Sequence, residues 1–397
     1  MNTIKDLFLL DPEIIFLNHG SFGACPRPVF AEYQRWQLEL EKQPVEFLAR
    51  KAIQLLRESR AILAEYINTQ TENIVFFTNP TTAINMVARN LFHRHLNPLQ
   101  HGDEILTTNH EYGAMDRTWL YLCKNTGVKY VRKDLAIPTN TPDEIVDQIW
   151  SGVTRQTRVI FISHITSPTA IRFPIKEICR RAGENGILSI IDGAHALGQI
   201  PVNIPEIGAD IYTAACHKWM MAPKGASFLY AHPDVQSWLD PLVISWGYDS
   251  EFPSGSQFID YHEWQGTRDI APFLSVPAAI EFQEVNHWEK VKLACQELAI
   301  NTSKRLSEID GIKPIYQHLD YDYQNEPGFN WFSQMFAVQL PDRIDPQYLK
   351  QTLYEVYKIE IPVIEWNNKK LIRVSIQGYN NQEDMEKLIH ALQELMK

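Results

Sequence analysis

ILSIIDGAHALG (residues 187–198), followed after a short loop by DIYTAACHK (residues 210–218), decides how this chain folds. ILSII is a β-branched apolar run of strand length that stops on an acid, Asp192. DIYTAA repeats the pattern and delivers Cys216, His217 and Lys218. Short apolar runs bounded by turn signals read as strands buried on both faces. Working outward, RVIFISH (158–164) is a third strand, and IKEICRRAGENG (175–186) is a helix ending on glycine that leads back into ILSII. Upstream, NIVFFT (73–78), EILTTN (104–109) and VKYVRKDL (128–135) read as strands, with helices AINMVARNLF (83–92) and TPDEIVDQIW (141–150) between them. GASFLYAH (225–232) adds one more strand downstream. Strand and helix in alternation imply an α/β fold, a mostly parallel sheet with helices on both faces. Ligands of such sheets sit outside the carboxyl ends of the strands. Asp192 and Lys218 both fall there, so an acid and an amine face one ligand.

The length of 397 residues exceeds one ordinary core and implies two domains. The expected division is an N-terminal arm (1–30), a large domain (31–272) and a smaller α+β C-terminal domain (273–397). A helical pattern runs from Leu40 to Ile67, and another long one starts at Phe273. The last part carries strands WFSQMFAVQL (331–340) and KLIRVSI (370–376), then the strongly periodic helix QEDMEKLIHALQELMK (382–397). A net charge of -11 argues against a nucleic-acid partner, for which a basic face is expected. No run of about 18 uninterrupted apolar residues exists to span a membrane, and the N-terminus lacks a secretory pattern. Five scattered cysteines without a CxxC pair read as reduced thiols in a cytoplasmic protein. His93 and His95 form a lone HxH without further ligands nearby, so no metal is expected.

A strand-end lysine beside a strand-end acid suits pyridoxal phosphate, which is held by a lysine amine while an acid partners its pyridinium nitrogen. The same two residues read more plainly as a surface salt bridge or as unrelated loop charges. Asn79, Pro80, Thr81 and Thr82 follow the strand NIVFFT and open a helix. A capped helix start there offers backbone N–H groups and the helix dipole to a phosphate. Most capped helices hold none. A dinucleotide-binding oxidoreductase is the competing class, but no strand-linked GxGxxG is present and that cofactor has no use for the lysine.

DGAHALG (192–198) and CHKWMMAPKG (216–225) together closely resemble fold-type I pyridoxal-phosphate enzymes of the class V aminotransferase family, in its isopenicillin N epimerase-like branch. NHGSFGACP (18–26), NHEYGAMDRTW (109–119), QGTRD (265–269) and LIRVS (371–375) extend the resemblance in a consistent order along the chain. It implies Lys218 as the cofactor lysine and proton carrier, with Asp192 on the ring nitrogen. It further implies Thr81 and Thr82 at the phosphate, and a ring stacked on the pyridine, His110 by position with Tyr112 in reserve. His195 falls near the 3′-oxygen, and Ser167 stands where relatives often place an asparagine. His217 lies beside the lysine, toward phosphate or backbone. Thr267 matches a position reaching the phosphate of a partner subunit, which implies a homodimer with a shared site. Arg373, with Asn18 and His19, is implied at the carboxylate of an amino-acid substrate. Two departures stand out. Ala215 replaces a phosphate-binding serine, and no cysteine lies between Asp345 and Arg373, where cysteine desulfurases carry their nucleophile. The second departure argues against desulfuration through an enzyme persulfide, and the resemblance implies epimerisation, with C–S lysis or transamination as alternatives.

Overall fold

Seven strands build the central sheet: β1 (Ile74–Phe77), β2 (Glu104–Thr108), β3 (Lys129–Lys133), β4 (Thr157–Ser163), β5 (Leu188–Asp192), β6 (Ile211–Ala215) and β7 (Ser227–Ala231). Their order across the sheet is β1-β7-β6-β5-β4-β2-β3. The pairs β3–β2, β2–β4, β4–β5 and β5–β6 are parallel, while β7 runs antiparallel to both β6 and β1. This computed structural model describes residues 4–93, 97–138, 141–251, 253–316 and 330–397. Every residue of β1, β2, β6 and β7 is buried, as their unbroken apolar runs require. The edge strand β3 instead has no fully buried residue and exposes Lys129 and Arg132, which blunts an open sheet edge. The helix Ile175–Glu184 turns Ile175, Ile178, Cys179 and Ala182 inward at three- and four-residue spacing, and so covers one face of the sheet.

A second, four-stranded antiparallel sheet lies in the C-terminal part: β8 (Lys313–Pro314), β9 (Met335–Leu340), β10 (Val363–Trp366) and β11 (Lys369–Ser375), in the order β10-β11-β9-β8. β10 and β11 form a tight hairpin across Asn367 and Asn368, both left-handed at φ 47° and 61°, as a two-residue turn of primed type demands. The N-terminal segment joins this part. Ile15–Phe16 pairs in parallel with Ile359–Glu360, and Asn18 bridges to Ser375. The short helix His19–Phe22 is thereby laid over the turn that carries Lys218. At its end Gly23 has φ 71°, and a Cβ there would meet the carbonyl oxygen of His217 at 2.0 Å, so only glycine allows this approach.

Two expected elements differ in detail, and one element is new. The helical pattern through Leu40–Ile67 is two helices, Arg27–Lys42 and Ala52–Tyr66, with a wide turn Glu46–Lys51 between them. Pro44 lies at the break, where it removes an N–H and clashes with a continuing helix. The long helix from Phe273 is three: Ala271–Leu274, Val276–Val285 and Trp288–Ser307. Pro277 opens the second of these, and His287, left-handed at φ 51°, separates the last two. The helix Pro346–Glu355 was not expected, although Asp345 caps it by accepting from the N–H groups of Gln347 and Tyr348 with Pro346 next in line, a legible start signal. Of the HxH pair, His93 ends the helix Pro80–His93, while Arg94 and His95 lie outside the described residues. Among the described residues no helix is long and apolar enough to cross a membrane, and no three His, Cys, Asp or Glu side chains group as a metal site.

Candidate active site

Because β1, β2, β4, β5 and β6 all point the same way, their carboxyl ends share one edge of the sheet. Asp192 is the last residue of β5, and Lys218 follows three residues after β6. A compact turn presents the lysine. Cys216 N–H donates to the carbonyl of Ala226 at 3.1 Å, Ala222 N–H to that of Cys216 at 3.0 Å, and Met221 N–H to that of Lys218 at 2.9 Å. Met221 takes a left-handed φ of 65° to close the turn, an uncommon conformation for this residue type. Lys218 Nζ comes to rest 3.2 Å from His195 Nε2.

The surroundings tune these groups. Burial brings the Lys218 amine down to about 8, the Arg373 charge acts in the same direction, and Asp192 opposes them. Burial also raises the Asp192 carboxyl, against a hydrogen bond that Oδ1 accepts from Ala194 N–H at 2.9 Å and against the charge of Lys218. His195 is held neutral, far below its ordinary value, by burial first and then by Lys218 and Arg373. Trp219 Nε1–H approaches the other side of the ring, 3.5 Å from Nδ1. An amine lowered this far is a competent nucleophile and proton carrier near neutral pH.

Arg373, on β11, is 4% exposed and reaches the same site. Its Nη1 donates to the carbonyl of Ser167 at 2.6 Å, its Nη2 to Ser21 Oγ at 3.1 Å, and its Nε has no partner. Among the described residues no carboxylate pairs with it, and burial lowers the guanidinium to about 10. A buried cation without a counter-charge is costly unless a ligand supplies the anion. Ser167 therefore stands against the arginine. Asn18 stands one step behind it: Ser21 Oγ donates to Asn18 Oδ1 at 2.5 Å, and Asn18 Nδ2 to Glu360 Oε1 at 2.9 Å.

The histidines separate by what their nitrogens touch. His19 is fully buried, with Nδ1 2.9 Å from the Tyr379 hydroxyl and Nε2 donating to the carbonyl of Lys218 at 3.0 Å. It braces the lysine turn, and both nitrogens are used, so its expected place on the substrate is not what the geometry provides. His217 donates from Nδ1 to the carbonyl of Ala226 at 3.0 Å, the backbone member of its two expected contacts. His110 donates from Nε2 to the carbonyl of Leu135 at 3.2 Å and accepts at Nδ1 from Thr169 at 2.7 Å, while its ring packs against Trp366 and Phe173. Tyr112, two residues on, caps the next helix (Gly113–Cys123) and is half exposed. Enclosed on both nitrogens and between two other rings, His110 is set up as a structural histidine, and Tyr112 is the ring left open.

At the start of Pro80–His93, Asn79 Oδ1 accepts from Thr82 N–H at 2.8 Å and from Thr82 Oγ1 at 3.0 Å. A phosphate there competes with this cap for Thr82, while Thr81 stands beside it in the first turn. Thr267 is exposed, on the loop between Gln257–Glu263 and Ala271–Leu274.

Sequence reading missed one buried group at this edge. Glu111 is 5% exposed; its Oε2 accepts from Ser163 N–H at 2.8 Å and Ser163 Oγ at 2.6 Å, and its Oε1 accepts from Thr108 Oγ1 at 2.7 Å. Burial pushes its carboxyl up to about 8, with the charge of Asp192 adding to the rise and the Ser163 and Thr108 bonds opposing it. An acid in a polar loop carries no local signal of such burial.

An acid, a nucleophilic amine, a helix N-terminus and an unmatched arginine suit a cofactor with a ring nitrogen, an aldehyde and a phosphate, together with a carboxylate-bearing substrate. Known proteins agree. Residues 24–388 match the family Aminotransferase class-V. The isopenicillin N epimerase of Amycolatopsis lactamdurans is 34% identical, covering 98% of this chain and 96% of that protein. An L-cysteine desulfhydrase of Arabidopsis thaliana is 27% identical, covering 96% of this chain and 87% of its own length. Among solved structures, the cystine C–S lyase C-DES in complex with cysteine persulfide has the same fold, with a TM-score of 0.82 at 21% identity, covering 97% of this chain and 99% of that one. With a match that spans nearly the whole sequence and a site of this composition, the chain belongs to the class V aminotransferase family and is a pyridoxal-phosphate-dependent enzyme.

Proposed function

We propose that this enzyme acts at Cα of an α-amino acid and that its reaction is epimerase-like. The observation that carries the reading is the enclosed Lys218 amine, 3.2 Å from a neutral His195, with an unpaired Arg373 cation on the same site. Pyridoxal phosphate, when bound, supplies an electron sink that makes the Cα proton of an attached amino acid removable. Lys218 would hold the cofactor and take that proton, and inversion would follow from return of a proton to the opposite face of Cα. Asp192 would keep a proton on the ring nitrogen, Tyr112 would cover the ring, and His195 would serve the 3′-oxygen. Thr81 and Thr82 receive the phosphate with Thr267 of a second copy. Arg373 fixes the substrate carboxylate by a two-pronged contact, which sets direction as well as charge. Exposed Phe22, Ile244 and Trp246, at 70%, 65% and 86%, support pairing with that second copy. Five free cysteines support a reducing, cytoplasmic setting.

C–S lysis is the second reading, supported by the desulfhydrase relatives. The tight hairpin β10–β11 carries no cysteine, so sulfur would leave as a β-thiolate and not through an enzyme persulfide. Incubation with L- and D-amino acids in D2O separates the outcomes. Deuterium at Cα with inversion is the expected result. Pyruvate and sulfide from cysteine, without inversion of any substrate, would replace epimerisation by lysis, and exchange with none would end the reading.

Arg373→Ala is expected to cost about 1.5–3 kcal/mol in kcat/KM, the range for a hydrogen bond to a charged group, and mainly through KM. The visible absorption of the bound cofactor should persist. Loss of that band together with the KM effect would make Arg373 a brace between β11, Ser167 and Ser21.

A further inference from the structure

Glu111 is a buried acid with no part in the chemistry above, yet it sits between two groups that have one. It belongs to the loop 109–112 that leaves the end of β2 and carries Tyr112. Its carboxyl, however, is bonded across to Ser163, the last residue of β4. Ser163 is the residue paired with Asp192 in the parallel register of β4 and β5. The loop is also tied through His110, to Thr169 Oγ1 at 2.7 Å and the Leu135 carbonyl at 3.2 Å, and through Asn109, but none of these contacts reaches the strand residue paired with Asp192. Asn109 N–H donates to the carbonyl of Lys133, Asn109 Oδ1 accepts from Leu135 N–H at 3.1 Å, and the Asn109 carbonyl accepts from Trp366 Nε1 at 2.7 Å.

From this placement we infer that Glu111 is a positioning residue for the cofactor: its carboxyl ties the loop bearing Tyr112 to the strand end opposite Asp192, so one group sets the height of the ring-stacking side chain over the acid that meets the ring nitrogen. The inference rests on the pyridoxal-phosphate reading of Asp192, Lys218 and Tyr112. Three hydrogen bonds of 2.6–2.8 Å hold the carboxyl, and a buried network satisfied in this way is rigid. Without it Ser163 N–H loses its acceptor, and the loop keeps its ties through Asn109 and His110 but none to the end of β4 beside Asp192.

Glutamine can take over the role. Its amide oxygen accepts both Ser163 donors, and its NH2 faces the Thr108 hydroxyl, which can turn to accept. Alanine cannot. In Glu111→Ala the dissociation constant for pyridoxal phosphate should rise about tenfold, the scale of one lost hydrogen bond to a charged or buried group. The visible circular dichroism per bound cofactor should fall by more than half, because the ring is no longer held at one angle. Glu111→Gln should restore both to within about twofold of the parent, less than half the free-energy change of the alanine variant. A residue that served stability alone would lower the melting temperature and leave the dichroism of the bound cofactor unchanged. If Glu111→Ala does not fold, Ser163→Ala, which removes only the Oγ bond, should shift both readouts in the same direction by a smaller amount. Parental affinity and dichroism in Glu111→Ala, or in Ser163→Ala where that variant stands in, would overturn the inference alone. If the parent enzyme took up no cofactor that borohydride fixes on Lys218, the reading beneath it would fall as well.

Discussion

Lys218→Ala should lower turnover by about 10⁴-fold, the upper end for loss of a positioned proton-transfer group, and should leave no cofactor covalently attached. The next lysine along is not placed to substitute: Lys224 donates to the carbonyl of Gly23 at 3.0 Å. Borohydride reduction followed by peptide mass analysis reads the attachment directly, labelling Lys218 in the parent and nothing in the variant. The amine also sets a pH dependence. It attacks an aldehyde only when unprotonated, and burial has brought it to about 8 from an ordinary 10.5. Covalent uptake by the cofactor-free protein should therefore rise with pH around a midpoint near 8. A midpoint above 10 would show that the amine is not enclosed as described. Undiminished turnover in Lys218→Ala would remove the mechanism.

Asp192→Asn should lower kcat by about 10²–10³-fold, the scale for removing a preorganised charge from a site where charge develops. Asparagine keeps the shape and can still accept from Ala194 N–H, so the effect isolates the negative charge that keeps the ring nitrogen protonated. Stability should move the other way. The Asp192 carboxyl is raised by burial in the folded chain, so its contribution is present at low pH and lost as pH rises through the folded value. The neutral amide has no such loss, and the variant should melt at or above the parent's temperature at neutral pH. A functional acid kept at the expense of stability is a recurring feature of active sites. Full activity in Asp192→Asn would assign the ring nitrogen to another group.

These two residues were also the most legible ones, for a local reason. Each ends or closely follows an apolar run whose length and composition already specify a buried strand, and parallel topology carries all such ends to one edge. The acid at the end of β5 and the lysine after β6 thus needed no tertiary information. Arg373 could be placed on a strand in the same way, although its partners could not: Ser167 and Ser21 lie 206 and 352 positions away.

The sequence by itself determined the α/β alternation, the strand that ends on Asp192, the turn that bears Lys218 and the helix start at Pro80, because each follows from short-range periodicity, capping and turn chemistry. Tertiary structure alone decided that His110 is walled in while Tyr112 stays open, that His19 braces the Lys218 backbone, and that Glu111 reaches Ser163 beside Asp192. Those outcomes depend on hydrogen bonds between chain segments far apart in sequence. Such bonds leave no period or spacing behind, and only the assembled sheet edge brings their partners within about 3 Å, the reach of a hydrogen bond.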